Sequence, residues 1–177
     1  MILASIKPYY YYLIAERKKK IEVRKSALKN LPQDIAFYMS KDEKSFAKIP
    51  KEFQEKYRKH FGKVGMRVVC NKVDEYTFSS YEAEYRVNHL EQNAMCLNQP
   101  ELIRYGKGKT LYGWHISDLK IYDEPKELSE FFKPCPTKEK GDCLSCDCLA
   151  DNDYGGVCTN NLTRPPQSYM FVKEVEQ

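Results

Sequence analysis

Between positions 17 and 25 the chain reads Arg17-Lys18-Lys19-Lys20-Ile21-Glu22-Val23-Arg24-Lys25, and these residues carry most of the chemistry the sequence offers. Taken as a strand from Ile21 to Lys25, the two-residue period puts Ile21, Val23 and Lys25 on one face and Glu22 and Arg24 on the other. A carboxylate acceptor then lies beside a guanidinium fork of donors, with Lys19 just upstream, an arrangement suited to the floor of a ligand cleft. The competing reading is a solvated run in which Lys18, Lys19 and Lys20 only complement the negative end of the preceding helix dipole. Residue chemistry alone favours that second reading, because basic runs after helices are common.

Positioning such a floor is the task of the elements around it. Met1 to Ile6 is short and apolar and reads as a strand buried on both faces; Pro8 then opens a helix that runs to about Arg17. The four tyrosines Tyr9 to Tyr12 cover every side of that helix, so at most two of them join Leu13 and Ile14 in a core. Asp34 to Ser40 alternates as a third strand, and Lys41 to Pro50 reads as a charged loop. Pro50 to Phe61 has helical spacing in Phe53, Tyr57 and Phe61, with Gly62 as its stop, and Lys63 to Val73 alternates again. Ser79 to Glu91, Gln99 to Tyr105 and Pro125 to Phe132 read as helices. Leu111 to Leu119 reads as a strand carrying Trp114, and the segment ending at Val172 as the last strand. Gly106-Lys107-Gly108-Lys109 lacks the full phosphate-loop spacing and reads as a turn.

Three histidines and two isolated cysteines complete the inventory. His60 and His89 read as solvent-edge residues. Trp114 and His115 fall on opposite strand faces, and Trp114 is the one expected to look into a cleft. Cys70 and Cys96 read as small buried hydrophobes. No Ser, His and Asp constellation and no glycine-rich nucleotide fingerprint is present at usable spacing.

The 177 residues suffice for one domain with a real core, so positions 1–177 are expected to form a single domain with an insert at 133–164. The net charge is +4, with the basic residues crowded into the first thirty positions, which points to an anionic partner. No apolar run reaches membrane-spanning length and the tyrosine-rich start does not read as a secretory signal, so a cytoplasmic location without membrane contact is expected.

Ser5-Ile6-Lys7-Pro8, a short helix and then Lys19-x-x-Glu22-x-Arg24 resemble the Gly-x-Lys-x-x-Glu-x-Arg pattern of the ASCH domain family in the PUA-like superfamily, with Arg17 standing where the pattern has Gly. Gly62-Lys63-Val64, Leu111 to Leu119 and Pro166-Gln167-Ser168 resemble further segments of bacterial and phage-type ASCH proteins, with Tyr169 in place of a Trp. The resemblance implies an α+β fold: a small, strongly curved mixed β-barrel of PUA-like type, flanked by short helices, with a Cys-rich insert before the last strand. It also implies a module that binds RNA or a modified nucleotide, in which Lys7, Lys19 and Arg24 meet phosphate or base acceptors, Glu22 accepts from a base amine and Trp114 stacks. The alternative it implies is a small amidohydrolase acting on an acylated nucleoside such as acetylated cytidine, with Lys19 and Glu22 as the catalytic pair. Glu22 stands where those enzymes have a threonine, so their nucleophile is missing here.

Between Phe132 and Arg164 apolar content falls and five of the seven cysteines appear. Cys143-Leu144-Ser145-Cys146 has the knuckle spacing with which two thiolates grip Zn²⁺, and Cys135 and Cys158 complete a tetrahedron, with Cys148 as an alternative ligand. Free thiols and disulfides are the competing readings, the latter favoured only in an oxidising compartment. A closed thiolate shell makes this a structural zinc, not a catalytic one. The expected outcome is close to one zinc per purified chain, read by elemental analysis, with chelation exposing the segment to protease while the strands stay folded.

Overall fold

The computed structural model describes residues 1–133 and 162–174. In chain order the elements are β1 (Ile2–Ile6), α1 (Pro8–Ala15), β2 (Ile21–Arg24), β3 (Gln33–Met39), α2 (Glu43–Phe46), α3 (Lys51–Arg58), β4 (Val64–Tyr76), β5 (Phe78–Ser79) and β6 (Glu84–Tyr85). Then come α4 (His89–Met95), α5 (Gln99–Gly106), β7 (Leu111–Lys126), a 3-10 turn (Leu128–Glu130), β8 (Phe131–Phe132), β9 (Tyr169–Phe171) and β10 (Lys173–Glu174). Six strands form one curled sheet in the order β2-β7-β4-β3-β1-β9, a half-barrel flanked by short helices. β1 and β3 are parallel and every other neighbouring pair in it is antiparallel.

Strand periodicity sorts the side chains into two cores. Ile2, Ala4 and Ile6 of β1, Ile35, Phe37 and Met39 of β3, and Met66, Val68 and Cys70 of β4 share one cluster with Tyr11, Tyr12 and Ile14 of α1. Leu3, Ala36, Tyr38 and Val64 turn the other way, onto Phe131, Leu162 and Val172. The central strands are therefore apolar on both faces, which is why they read as continuous hydrophobic runs. A third cluster joins Ile21 and Val23 of β2 to Tyr85, Met95 and Leu102, seating α4 and α5 against the β2 edge.

Two stretches expected to be helical are not. Phe78–Ser79 and Glu84–Tyr85 pair as a short hairpin, and the helix starts later, at α4. Tyr81 and Tyr85 would share one helix face at a spacing of four, yet Tyr81 is 99% exposed and Tyr85 only 2%. The true start is Asn88, whose side chain accepts from the Glu91 N–H while the Glu91 carboxylate accepts from the Asn88 N–H, a reciprocal cap. Through Lys126 the segment expected as Pro125–Phe132 helix stays in β7, because Lys126 registers against Val64, and it then passes through the 3-10 turn into β8. Within the expected loop 41–50, Asp42 caps α2 by accepting from the Ser45 N–H.

His60 is buried, not at a solvent edge, with Nδ1 2.9 Å from the Tyr11 hydroxyl. Gly65 makes room for this pair, since a Cβ there would lie 2.0 Å from His60 Nδ1 and 2.3 Å from the Tyr11 oxygen. Burial, with Lys59 and Lys56 adding repulsion, pushes the imidazole down to about 4. In the unfolded chain a histidine protonates near 6.5, so between about 6.5 and about 4 the unfolded state binds the extra proton and the fold loses stability as pH falls. Above that window the contribution is complete; below it both states are protonated. The loss is on the order of 3 kcal/mol. Urea titrations of the wild type and His60→Gln at pH 7 and pH 4.5 check it: the advantage of the wild type shrinks at the lower pH.

Candidate functional site

The site begins where α1 ends. Glu16 closes the helix and Arg17 takes the left-handed conformation, φ 57°, in the position of the pattern's glycine. The Arg17 N–H donates to Ile14 O and the Lys18 N–H to Leu13 O, the paired bonds of a Schellman turn. Arg17 accepts a backbone conformation that glycine adopts without a Cβ penalty. The turn reverses the chain and sends successive lysines to different surroundings. Lys18 reaches back to the Tyr12 hydroxyl at 2.9 Å, the Lys20 N–H donates to Ala94 O, and Lys19 points inward.

Lys19, Glu22 and Arg24 form a buried charge triad. Their residues are 2%, 7% and 6% exposed. Glu22 sits between two cations, with Oε2 3.5 Å from Lys19 Nζ and Oε1 3.0 Å from Arg24 Nε. Lys19 Nζ also donates to Met95 O at 2.5 Å and lies 5.2 Å from the Tyr10 ring centroid. Burial lowers the Lys19 pKa, and the Glu22 carboxylate works against that fall. Arg24 Nε is buried and meets Glu22 as an ion pair, with no hydrogen bond to it among the described residues. Arg24 Nη2 donates to Ser5 O at 2.8 Å and Nη1 to Ser168 O at 3.5 Å. β2 and β9 are the two edges of the sheet, so Arg24 spans the gap between them with side-chain bonds where no ladder exists.

A cleft of about 610 Å³ opens onto this triad. Tyr10 from α1 and Tyr105 from α5 line it, and Ser5, Ser40 and Gln167 add polar groups. Lys7, Lys48 and Arg104 are exposed lining residues. Five cations thus face two carboxylates, Glu22 and Glu101. Glu101 is committed to capping α5, where it accepts from the Asn98 N–H at 2.9 Å, and Lys7 lies 3.7 Å from Asp42. Among the described residues no carboxylate pairs with Lys48 or Arg104. The balance favours an anionic ligand with a flat, apolar portion to set against the tyrosines.

Lys7, Lys19, Glu22 and Arg24 of the expected ligand set come together in this cleft, and Trp114 does not line it. Trp114 registers opposite Glu22 and so shares its face, but it is wholly buried behind Arg24, whose guanidinium carbon lies 5.5 Å from its ring centroid. Its Nε1 donates to Ser26 O at 3.1 Å, and Tyr169 meets it edge-on at 5.5 Å. The indole supports the guanidinium from below. Tyr105, Arg104, Glu101 and Lys48 were not singled out in the sequence. The signal for three of them was the polar face of α5, which no spacing rule linked to a strand 80 residues earlier.

His115 pairs with Asp74, Nε2 to Oδ2 at 2.6 Å, and Asp74 also holds Lys72 at 2.8 Å. None of the three lines the cleft. Cys70 is fully buried as expected, whereas Cys96 is half-buried at the left-handed end of α4. Cys135, Cys143, Cys146, Cys148 and Cys158 lie outside the described residues. Among the described residues, no group of three metal-ligating side chains occurs and no helix is long and apolar enough to cross a membrane.

A curled mixed sheet with short flanking helices, holding a cationic cleft against one sheet edge, defines an α+β half-barrel. No family model matches the chain, and no curated protein does. Among solved structures it is similar to two point variants of the ASCH protein from Zymomonas mobilis. One is 14% identical, covering 97% of this chain and 87% of that one at a TM-score of 0.54; the other is 13% identical, covering 97% and 89% at 0.50. The fold is of the ASCH type.

Removing Arg24 takes away both the edge clasp and one of the two counterions of a buried carboxylate. Arg24→Ala is expected to cost about 3 kcal/mol, the low end for breaking a buried charge pair, because Lys19 remains beside Glu22. Thermal and urea melts read the loss directly.

Proposed function

We propose that the protein is a binding module for RNA or a modified nucleotide, held in the cleft above Lys19, Glu22 and Arg24. The observation that carries this reading is the excess of five cations over two carboxylates in a cleft that also has two tyrosines in its lining. Phosphate oxygens meet Lys7, Lys48 and Arg104, which have mobile or unpaired charge to offer. A base lies against Tyr10 or Tyr105, a role that the buried Trp114 does not fill. Glu22 and Arg24 at the floor supply an acceptor and donors for a base edge.

A second reading, an amidohydrolase for an acylated nucleoside, has one observation on its side. Lys19 is buried, burial lowers its pKa, and its Nζ lies 3.5 Å from the Glu22 carboxylate. Against it, Lys19 is tied to Met95 O, Glu22 is shared with Arg24, and the position of the threonine nucleophile is Glu22 itself. Incubation with acetylated cytidine and chromatography of the products separates the two readings, since a binding module returns the substrate unchanged.

Fluorescence anisotropy with single-stranded RNA and DNA at several salt concentrations tests the first reading. Binding is expected to weaken steadily with salt, and Arg104→Ala to lower affinity about tenfold, the worth of one charge-assisted bond of roughly 1.5 kcal/mol. Absence of binding even at low salt removes the proposal.

A further inference from the structure

The turn after α5 has no role in the cleft, yet it is held with care. Lys107 sits in the left-handed region at φ 54° and Gly108 follows at φ 75°, and the Lys109 N–H closes the turn on Gly106 O at 3.2 Å. Tyr85 anchors it from below: its hydroxyl donates to Lys109 O at 2.7 Å, and its ring packs where a Cβ on Gly106 would come within 1.7 Å of that hydroxyl. A lysine thus occupies a backbone conformation that glycine adopts at lower cost, with Lys109 two residues on. Both side chains belong to exposed residues.

This turn lies next to Lys25. Arg24, the last residue of β2, registers opposite Tyr112, three residues from Lys109, and Lys25 follows it directly. Lys25 Nζ lies 4.9 Å from the centroid of Tyr105, the tyrosine that lines the cleft on its α5 side. Lys25 packs on Tyr105, and Lys107 and Lys109 follow Tyr105 two and four residues on in the chain; all three are exposed, and among the described residues none of them has a carboxylate partner. Exposed cations without counter-charge on the Tyr105 side of the cleft are suited to a run of phosphates.

We propose that Lys25 and the 106–109 turn form a second anion site, contiguous with the cleft past Tyr105, which takes the phosphates flanking the bound nucleotide of a single-stranded RNA. The proposal rests on the nucleotide reading of the cleft and adds to it that the ligand is a polymer, not a free nucleotide. The cleft sets one base against its tyrosines, and the backbone leaves across Lys25 toward the turn.

The test compares an eight-residue oligouridylate with uridine 5′-monophosphate, by anisotropy for the oligomer and by titration calorimetry for the monophosphate. Wild-type protein is expected to bind the oligomer at least about tenfold more tightly. The variant carrying Lys25→Ser, Lys107→Gly and Lys109→Ser is expected to lose that advantage, and its log-log salt slope for the oligomer to fall by about 2, from roughly 0.7 for each of three phosphate contacts on a single strand. Its affinity for the monophosphate stays at the wild-type value, which also shows that the variant is folded. An unchanged oligomer affinity and slope in the variant overturns the second site, as does a wild type that binds both ligands equally; the cleft reading survives either result. Binding of neither ligand overturns both proposals. Displacement of the oligomer by polyglutamate as readily as by unlabelled RNA also overturns the second site, and marks the rim as a dock for an acidic protein segment.

Discussion

Glu22, a carboxylate taken out of water between two cations, is the contact on which the rest of this architecture depends. An ion removed from solvent costs several kcal/mol, which only close opposite charge and good hydrogen bonds offset. Lys19 and Arg24 provide the charge, and each is held by a different part of the chain: Lys19 by the carbonyl of Met95 at the end of α4, Arg24 by the carbonyls of Ser5 and Ser168. The end of α1, the β2 edge, α4, β1 and the approach to β9 are thereby tied to one carboxyl group. Buried ion pairs contribute little net stability in general, but they penalise any arrangement that separates the partners. Here the arrangement they select is the one in which Arg24 bridges the gap between the two sheet edges.

The same constraint explains the character of the cleft. Because Glu22 is neutralised twice, the triad presents a net positive charge to any ligand, and Glu101 is drawn off into the cap of α5. The remaining lining charge is almost wholly cationic and more exposed toward the rim. Trp114 serves this arrangement indirectly. Placed under the guanidinium and fixed through Ser26, it limits the positions open to Arg24, and Tyr169 extends the same support across the gap, with its hydroxyl donating to Ala27 O at 3.2 Å.

Long-range pairing accounts for what reading along the chain missed. The segment after β4 has helix-forming spacing in Tyr81 and Tyr85, but Tyr85 is wanted beneath Gly106 and Tyr81 is not wanted anywhere in the core, so a hairpin displaces the helix. His60 ends an amphipathic helix and looks solvated until Tyr11, 49 residues earlier, is brought against it. Local propensity is a weak preference that a few buried contacts override.

The sequence by itself determined the strands β1 to β4 and the first part of β7, the helices α1, α3 and α5, and the facing of β2. Those follow from two- and 3.6-residue periods, which local sterics and burial impose wherever the segment lies. It also determined that no more than two of Tyr9 to Tyr12 are fully buried: Tyr11 and Tyr12 enter the core, and Tyr10 is left to line the cleft. Only the tertiary structure decided which aromatic faces the cleft and which supports it, because Trp114 and Glu22 share a face and depth below that face is not a property of spacing. Tertiary structure also decided that Tyr105, Arg104 and Lys48 join Lys19 and Arg24. Their positions in the chain are far apart, and only the curl of the sheet, with α5 packed against the β2 edge, brings them around one space.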